Sequence, residues 1–275
     1  MSAEVVGKAS KGTLREQRDH SLFEAELSGN VLNLSHLAHL LGEERPFYAL
    51  QARGLYGNSE PHETFEETAR DYIAEMRLVQ PEGPYLIGGY SGGGLIAYEI
   101  ASQLLALGEQ VIGIILLDTP APSFPTYSLA DKVSMVMQGI RKNGVAHIID
   151  KFRTRLRWEK EKRERANAND DPLSFQSEKI GAAFLRALRK YNVPQLDTSV
   201  ALFRHKLNIE FNLSGGRQVD IERNYVFEDN GWSEFASTLS LTEIPGNHDS
   251  MVLEPNVRVL VNSMRRYISS IEEKT

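Results

Sequence analysis

Cysteine is missing from all 275 residues. That removes disulfides, a thiol nucleophile and any thiolate-bound metal site. No apolar stretch approaches the ~18 residues a membrane-spanning helix requires. The first residues carry charge (Lys8, Lys11, Arg15, Glu16, Arg18, Asp19) where a secretory signal would carry an apolar segment. Surplus positive charge is also lacking. The formal balance is −6, so composition gives no reason to expect nucleic acid. No internal repeat is visible. The rest is ordinary, with 41% apolar and 25% charged residues, as in soluble globular domains. The length suits one large α/β domain or two small ones. These features together predict a soluble, cytoplasmic protein.

One stretch organises the chain: Tyr85-Leu86-Ile87-Gly88-Gly89-Tyr90-Ser91-Gly92-Gly93-Gly94-Leu95-Ile96-Ala97-Tyr98. Gly89 to Gly93 fits G-x-S-x-G. The apolar run before it reads as a buried strand, and Leu95 onward reads as a helix. In the sharp turn between them a serine is held in a strained conformation with its hydroxyl exposed, and side chains at Gly89 and Gly93 would collide. The helix behind the turn aims free N–H groups and the positive end of its dipole at the place where an oxyanion would form. This is the nucleophile elbow of α/β-hydrolases, and it makes Ser91 the candidate nucleophile. Gly92, the residue after it, is then a candidate oxyanion donor through its N–H.

Along the rest of the chain, residues 1–20 lack periodicity and are expected to be a flexible tail or linker remnant, leaving 21–275 as the folded domain. Ser21–Ala25 reads as a short, poor strand. Val31 to Leu41 has helical spacing, and Phe47–Ala52 reads as a strand. Thr64 and Glu67 form a capping-box pattern opening a strong amphipathic helix. Val111–Leu117 is an unbroken apolar run, as a central parallel strand buried on both faces should be. Alternating strands and helices imply a mostly parallel sheet flanked by helices. After Asp118 the alternation breaks. Three helices are predicted, at Leu129–Ile140, Ala146–Ala166 and Ser174–Tyr191, inside a helical lid insertion at about 123–195. Strands resume at Ser199–His205 and Leu239–Ile244, and a closing helix runs over Pro255–Ile271.

A serine hydroxyl needs a general base, and the base needs a carboxylate to fix its tautomer and stabilise its charged form. In this fold the order along the chain is Ser, then acid, then His, each in a loop at a strand's carboxyl end. His248, in Ile244-Pro245-Gly246-Asn247-His248-Asp249-Ser250-Met251, follows the last strand and fits as base. His205 ends a strand but leaves little core after it. Asp118, directly after the Val111–Leu117 strand, is the leading acid. Asp229 and Asp220, beyond the later strand, are its alternatives. Asp249 is too close in sequence to fold back onto the His248 ring.

The chain resembles the thioesterase domains of polyketide synthases and non-ribosomal peptide synthetases from about Gly29 to Tyr267. The resemblance rests on Asn30-Val31-Leu32-Asn33-Leu34, on Arg45 to Leu55, on Gln80-Pro81-Glu82-Gly83-Pro84-Tyr85 and on the elbow. It continues through Leu116-Leu117-Asp118-Thr119, Asn230-Gly231-Trp232 and Pro245 to Met251. It implies the α/β-hydrolase fold and an enzyme with Ser91 as nucleophile, Asp118 as acid and His248 as base. It also implies a thioester substrate on a phosphopantetheinyl carrier protein or carrier domain, and no bound cofactor or metal. One feature departs from the family. A His-x-x-Gly-Gly-like loop usually precedes the Asn-Val-Leu-Asn segment and supplies one oxyanion N–H, whereas here Glu24-Ala25-Glu26-Leu27-Ser28-Gly29 stands there. Leu27 is the residue assigned to that donor.

Two other functions use the same scaffold: a small-molecule esterase or lipase, and a non-catalytic binding module. Preference for carrier-bound over oxygen esters separates the first, and failure to react with a fluorophosphonate marks the second. The basic stretch Ala146–Ala166 (Lys151, Arg153, Arg155, Arg157, Lys160, Lys162, Arg163, Arg165) reads either as a solvated lid face or as a surface attracting an acidic carrier.

Overall fold

A computed structural model describes residues 4–5, 22–25, 32–42, 45–55, 59–122, 127–143, 172–220 and 226–273. The chain divides into two compact units, one made of Met1–Pro122, Gln176–Lys206 and Trp232–Thr275, the other of Ser123–Phe175 and Leu207–Gly231.

The first unit is built on a seven-stranded sheet. Its strands are β1 (Glu4–Val5), β2 (Leu22–Ala25), β3 (Phe47–Leu50), β4 (Tyr85–Tyr90), β5 (Val111–Leu117), β6 (Leu196–His205) and, numbered in chain order, β9 (Ala236–Ile244). The spatial order is β1-β3-β2-β4-β5-β6-β9. All neighbours run parallel except β1, which pairs antiparallel with β3. Two expectations change here. Glu4–Val5 is strand rather than tail, with Glu4 opposite Ala49 and Val5 opposite Tyr48. The short segment Leu22–Ala25 is an interior strand between β3 and β4.

Successive residues of the central strands serve opposite faces, because a strand's side chains alternate. Tyr85, Ile87, Ile114, Leu116, Val200 and Leu202 enter one core with the helices α2 (Phe65–Val79) and α3 (Gly93–Ala106). Leu86, Tyr90, Ile115, Leu117, Ala201 and Phe203 enter the other with α1 (Leu32–Leu41) and the closing helix Asn256–Glu272. Burial on both faces explains why β4 and β5 read as continuous apolar runs. Each buried Val, Leu, Ile or Phe among them contributes about 1.5–3 kcal/mol of hydrophobic stabilisation. Thr64 caps α2 as its pattern predicts, its hydroxyl oxygen accepting from the Glu67 N–H at 3.2 Å.

The second unit contains α4 (Leu129–Asn143) and an antiparallel pair, β7 (Ile209–Asn212) and β8 (Gln218–Asp220). Phe211, Leu213 and Val219 pack there with Tyr127 and Met135. Gln138 of α4 donates to the Asn212 carbonyl, and Arg217 bridges to Asp131. This unit departs from the predicted insertion at 123–195, since it takes in 207–231 and gives up the stretch after Phe175. The reason lies in α5 (Pro172–Leu188). Ile180, Ala183 and Ala187 recur on one buried face of it, and Phe184 and Tyr191 close on Phe65 of α2 with ring centroids 5.1 and 5.0 Å away. The closing helix Asn256–Glu272 is α6. The expected helix Ala146–Ala166 lies outside the described residues.

Candidate active site

Ser91 follows β4 directly and has φ 54°, in the left-handed region. A non-glycine residue there carries about 1–3 kcal/mol of strain and persists only where its surroundings impose it. Here they do. The Ser91 N–H donates to the Leu117 carbonyl at 2.8 Å, and the Ser91 carbonyl accepts from the Gly94 N–H at 3.2 Å and the Thr119 hydroxyl at 2.8 Å. A Cβ on Gly89 would lie 2.4 Å from the main chain of Gly93 and Gly94, so only glycine fits before the turn. Gly94, whose role the pattern G-x-S-x-G does not mark, is equally constrained, because a Cβ there would sit 2.0 Å from the Thr119 Oγ1. Gly92 occupies the N-cap of α3, whose dipole end and amide groups therefore lie beside the serine.

β4 and β5 are neighbours with Tyr90 paired to Leu117. Ser91 and Asp118 are therefore the first residues past the carboxyl ends of adjacent strands, about 5 Å apart in the sheet direction. Asp118 also has a positive φ, 51°, and its side chain is fully buried. Its N–H donates to the Phe203 carbonyl at 2.7 Å, which anchors it to β6. Behind it, the Trp232 indole N–H donates to the Thr119 carbonyl at 2.8 Å from a fully buried position.

His248 comes from the loop after β9, and its Nδ1 lies 2.6 Å from Asp118 Oδ2. An ionised carboxylate only accepts, so Nδ1 carries the proton and Nε2 is left to accept one. The His248 ring stacks on Tyr90, the residue before the serine, with centroids 5.1 Å apart and planes 18° apart, and the Tyr90 hydroxyl donates to the His248 carbonyl at 2.8 Å. The loop is braced from within. The Asn247 N–H donates to Ser250 Oγ, the Ser250 N–H donates to Asn247 Oδ1, and the Asn256 amide donates to the Ser250 carbonyl. Ser91, Asp118 and His248 thus gather at one edge of the sheet. Asp249 is exposed beside its histidine. The alternative acids Asp220 and Asp229 belong to the second unit, where they accept from the Asn208 and Gly231 N–H groups. Leu27 lies outside the described residues.

A second histidine shares the acid. His205, the last residue of β6, puts its Nδ1 3.0 Å from the same Oδ2 of Asp118. Its place in the chain also fits the order Ser, acid, His; the short stretch of core that follows it is what ranks it below His248, and nothing local marks it beyond its place at a strand end. Among the described residues no group of three or more His, Asp or Glu side chains is placed to hold a metal ion, and no helix is long and apolar enough to cross a membrane.

The sequence model of the family described as "Thioesterase domain" matches residues 29–262. Among curated proteins, the non-reducing polyketide synthase atnG of Arthrinium sp is 38% identical over 127 residues, 43% of this chain and 6% of that protein. Chondramide synthase cmdD of Chondromyces crocatus is 28% identical over 270 residues, 90% of this chain and 6% of that protein. The chain therefore corresponds to a small part of the synthases it matches. Among solved structures, the NocB thioesterase domain in covalent complex with a fluorophosphonate nocardicin G analog superposes with a TM-score of 0.62 at 22% identity, covering 91% of this chain and 95% of that one. The RedJ thioesterase from the prodiginine pathway of Streptomyces coelicolor gives 0.58 at 19%, covering 89% and 88%. At such identities the likeness establishes the fold, an α/β-hydrolase.

Proposed function

The chain belongs to the thioesterase domain family, and from that premise we propose that it releases an acyl or peptidyl chain from a phosphopantetheinyl carrier through a Ser91 acyl-enzyme. Ser91 Oγ attacks the thioester carbonyl while His248 Nε2 takes its proton. Asp118, on the far ring nitrogen, holds the tautomer and stabilises the imidazolium. The Gly92 N–H at the head of α3 faces the oxyanion, where fixed donors act without reorganising. Collapse of the tetrahedral intermediate expels the pantetheine sulfur, which takes the proton from His248. Water, deprotonated by the same imidazole, then attacks the Ser91 ester and gives a free acid. An internal hydroxyl or amine in place of water gives a ring.

The observation that carries this reading is the 2.6 Å contact of His248 Nδ1 with buried Asp118 at the strand end next to a strained Ser91. The carrier as partner is supported by the relatives, which are assembly-line synthases far longer than this chain. A cytoplasmic site of action goes with that partner. Pantetheine arrives as part of the substrate, and no resident cofactor is assigned.

A fluorophosphonate probe and a pair of substrates test the reading. The wild type should label once and hydrolyse an N-acetylcysteamine thioester faster than the matching oxygen ester, and Ser91→Ala should do neither while melting at nearly the same temperature. Labelling that persists in Ser91→Ala would remove the serine from its role. A preference for the oxygen ester would point to an esterase instead.

A further inference from the structure

The strand order places four polar side chains at the carboxyl ends of consecutive strands: Ser91 after β4, Asp118 after β5, His205 on β6 and His248 after β9. His248 must therefore reach back across β6 to meet Asp118, and β6 contributes a histidine of its own to the same oxygen. The two rings differ in what holds them. His205 ends a strand paired to β5 on one side and to β9 on the other, opposite Ile244, and its side chain is 4% exposed. His248 rides on a loop, and its side chain is 31% exposed.

Resting on the catalytic reading above, we propose that His205 is a positioning residue, whose Nδ1–H holds the Asp118 carboxylate in the orientation that His248 needs. A fully buried carboxylate is costly unless donors satisfy it. His248 is a donor whose charge changes, because its Nε2 gains and loses a proton in every turnover while Nδ1 keeps its own, and its side chain is the more exposed of the two. His205 is a constant one, carried on a strand that pairs with a neighbour on each side. Its contact at 3.0 Å leaves the shorter 2.6 Å contact to His248. Asp118 has its own reason to need a brace. It sits at φ 51°, just past the end of its strand, so the β5 pairing does not set its side-chain direction. Arg204, the neighbour of His205, is directed elsewhere, donating to Glu243 Oε1 at 2.9 Å and to the His205 carbonyl at 3.0 Å.

The test compares two replacements of similar size. His205→Asn keeps an N–H near the position of Nδ1, and His205→Leu fills the space without a donor. Hydrogen bonds to charged groups carry enough energy that loss of this one should lower kcat about ten- to a hundredfold for an N-acetylcysteamine thioester. KM should stay within about twofold, since no substrate group is touched. The rate of fluorophosphonate labelling should fall in parallel, and His205→Asn should stand within about threefold of wild type on the same scale. Wild-type kcat in His205→Leu, or a His205→Asn as slow as His205→Leu, overturns the proposal. So does a swapped pattern, in which His205→Leu abolishes labelling and His248→Ala retains it.

If His205→Leu does not fold, ¹⁵N-histidine NMR of the wild-type protein decides. His205 should show a protonated Nδ1 with a slowly exchanging, low-field proton, and an unprotonated Nδ1 refutes the donor role. The two levels of inference fail separately. Labelling that survives Ser91→Ala removes the serine mechanism and leaves the NMR result standing. A fully active His205→Leu in an enzyme that Ser91→Ala inactivates removes this proposal alone.

Discussion

Replacing Gly89 by alanine probes the elbow with a single methyl group. The added Cβ would stand 2.4 Å from the Gly93 carbonyl carbon and oxygen and from the Gly94 nitrogen. Non-bonded carbon atoms prefer about 3.5–4.0 Å, so the overlap is about 1 Å or more. The obstructing atoms are main chain at the start of α3 and cannot swing aside as a side chain tip would. Relief therefore requires the turn itself to shift by roughly the overlap, and a misplacement of about 1 Å at a reacting atom costs about 10² in rate. Overpacking of this kind destabilises by about 1–3 kcal/mol, which lowers the melting temperature by about 2–10 °C in a chain of this size. Gly108→Ala is the control. Gly108 has φ 79° and no atom within 4 Å of a new Cβ, so alanine meets only the left-handed backbone penalty. That penalty is about 1–2 kcal/mol, far from the serine. Fluorophosphonate labelling rate, thioester turnover and melting temperature should be measured on both variants. Gly89→Ala should lose labelling about a hundredfold, and Gly108→Ala should lose stability with labelling intact. Wild-type labelling in Gly89→Ala would refute the tight turn, and equal losses in both variants would show that labelling merely follows stability.

Asp118→Asn should lower single-turnover acylation by about 10⁴, the loss characteristic of a serine triad whose histidine takes the wrong tautomer. Asp229→Asn should change it less than about tenfold, and the reverse ranking would move the acid to the second unit. Glu99 of α3 makes a prediction about pH. Its carboxylate is 6% exposed, accepts from the Tyr191 hydroxyl and the Gln103 amide, and burial holds its pKa above the ordinary 4.5. The folded state therefore binds that proton more tightly than the unfolded state does. Stability from this group is full below 4.5 and declines as pH rises through the raised folded value. Urea midpoints at pH 5 and pH 8 should show Glu99→Gln gaining on wild type at the higher pH, and an unchanged difference between the two would contradict it.

The features legible in the sequence were those enforced by neighbours along the chain. Gly89 and Ser91 could be read as an elbow because the clash that excludes a side chain at Gly89 arises with Gly93 and Gly94, inside one turn. Val111–Leu117 could be read as a central strand because burial on both faces leaves no polar position in it. The hairpin of β7 and β8 went unread, although Ile209, Phe211 and Leu213 alternate up to Gly215-Gly216. Its strands have only four and three residues, which periodicity weighs lightly. The boundary of the insertion was misplaced because α5 is helical in either assignment, and only packing such as that of Phe184 and Tyr191 on Phe65 assigns it, from Gln176 onward, to the first unit.

Sequence alone determined the glycine-framed turn at Ser91, the alternation of strands and helices, and the residue types from which a serine site could be made. It ranked Asp118 above Asp229 by position but carried no contact to separate them. The tertiary structure decided which carboxylate meets which imidazole. Asp118, His205 and His248 are brought to one oxygen by the neighbour order β5, β6, β9, and they come from segments 87 and 130 residues apart from the aspartate. A pattern along the chain records what each segment buries. The strand order that sets which ends lie side by side comes from how those buried faces pack together, and no single segment contains it.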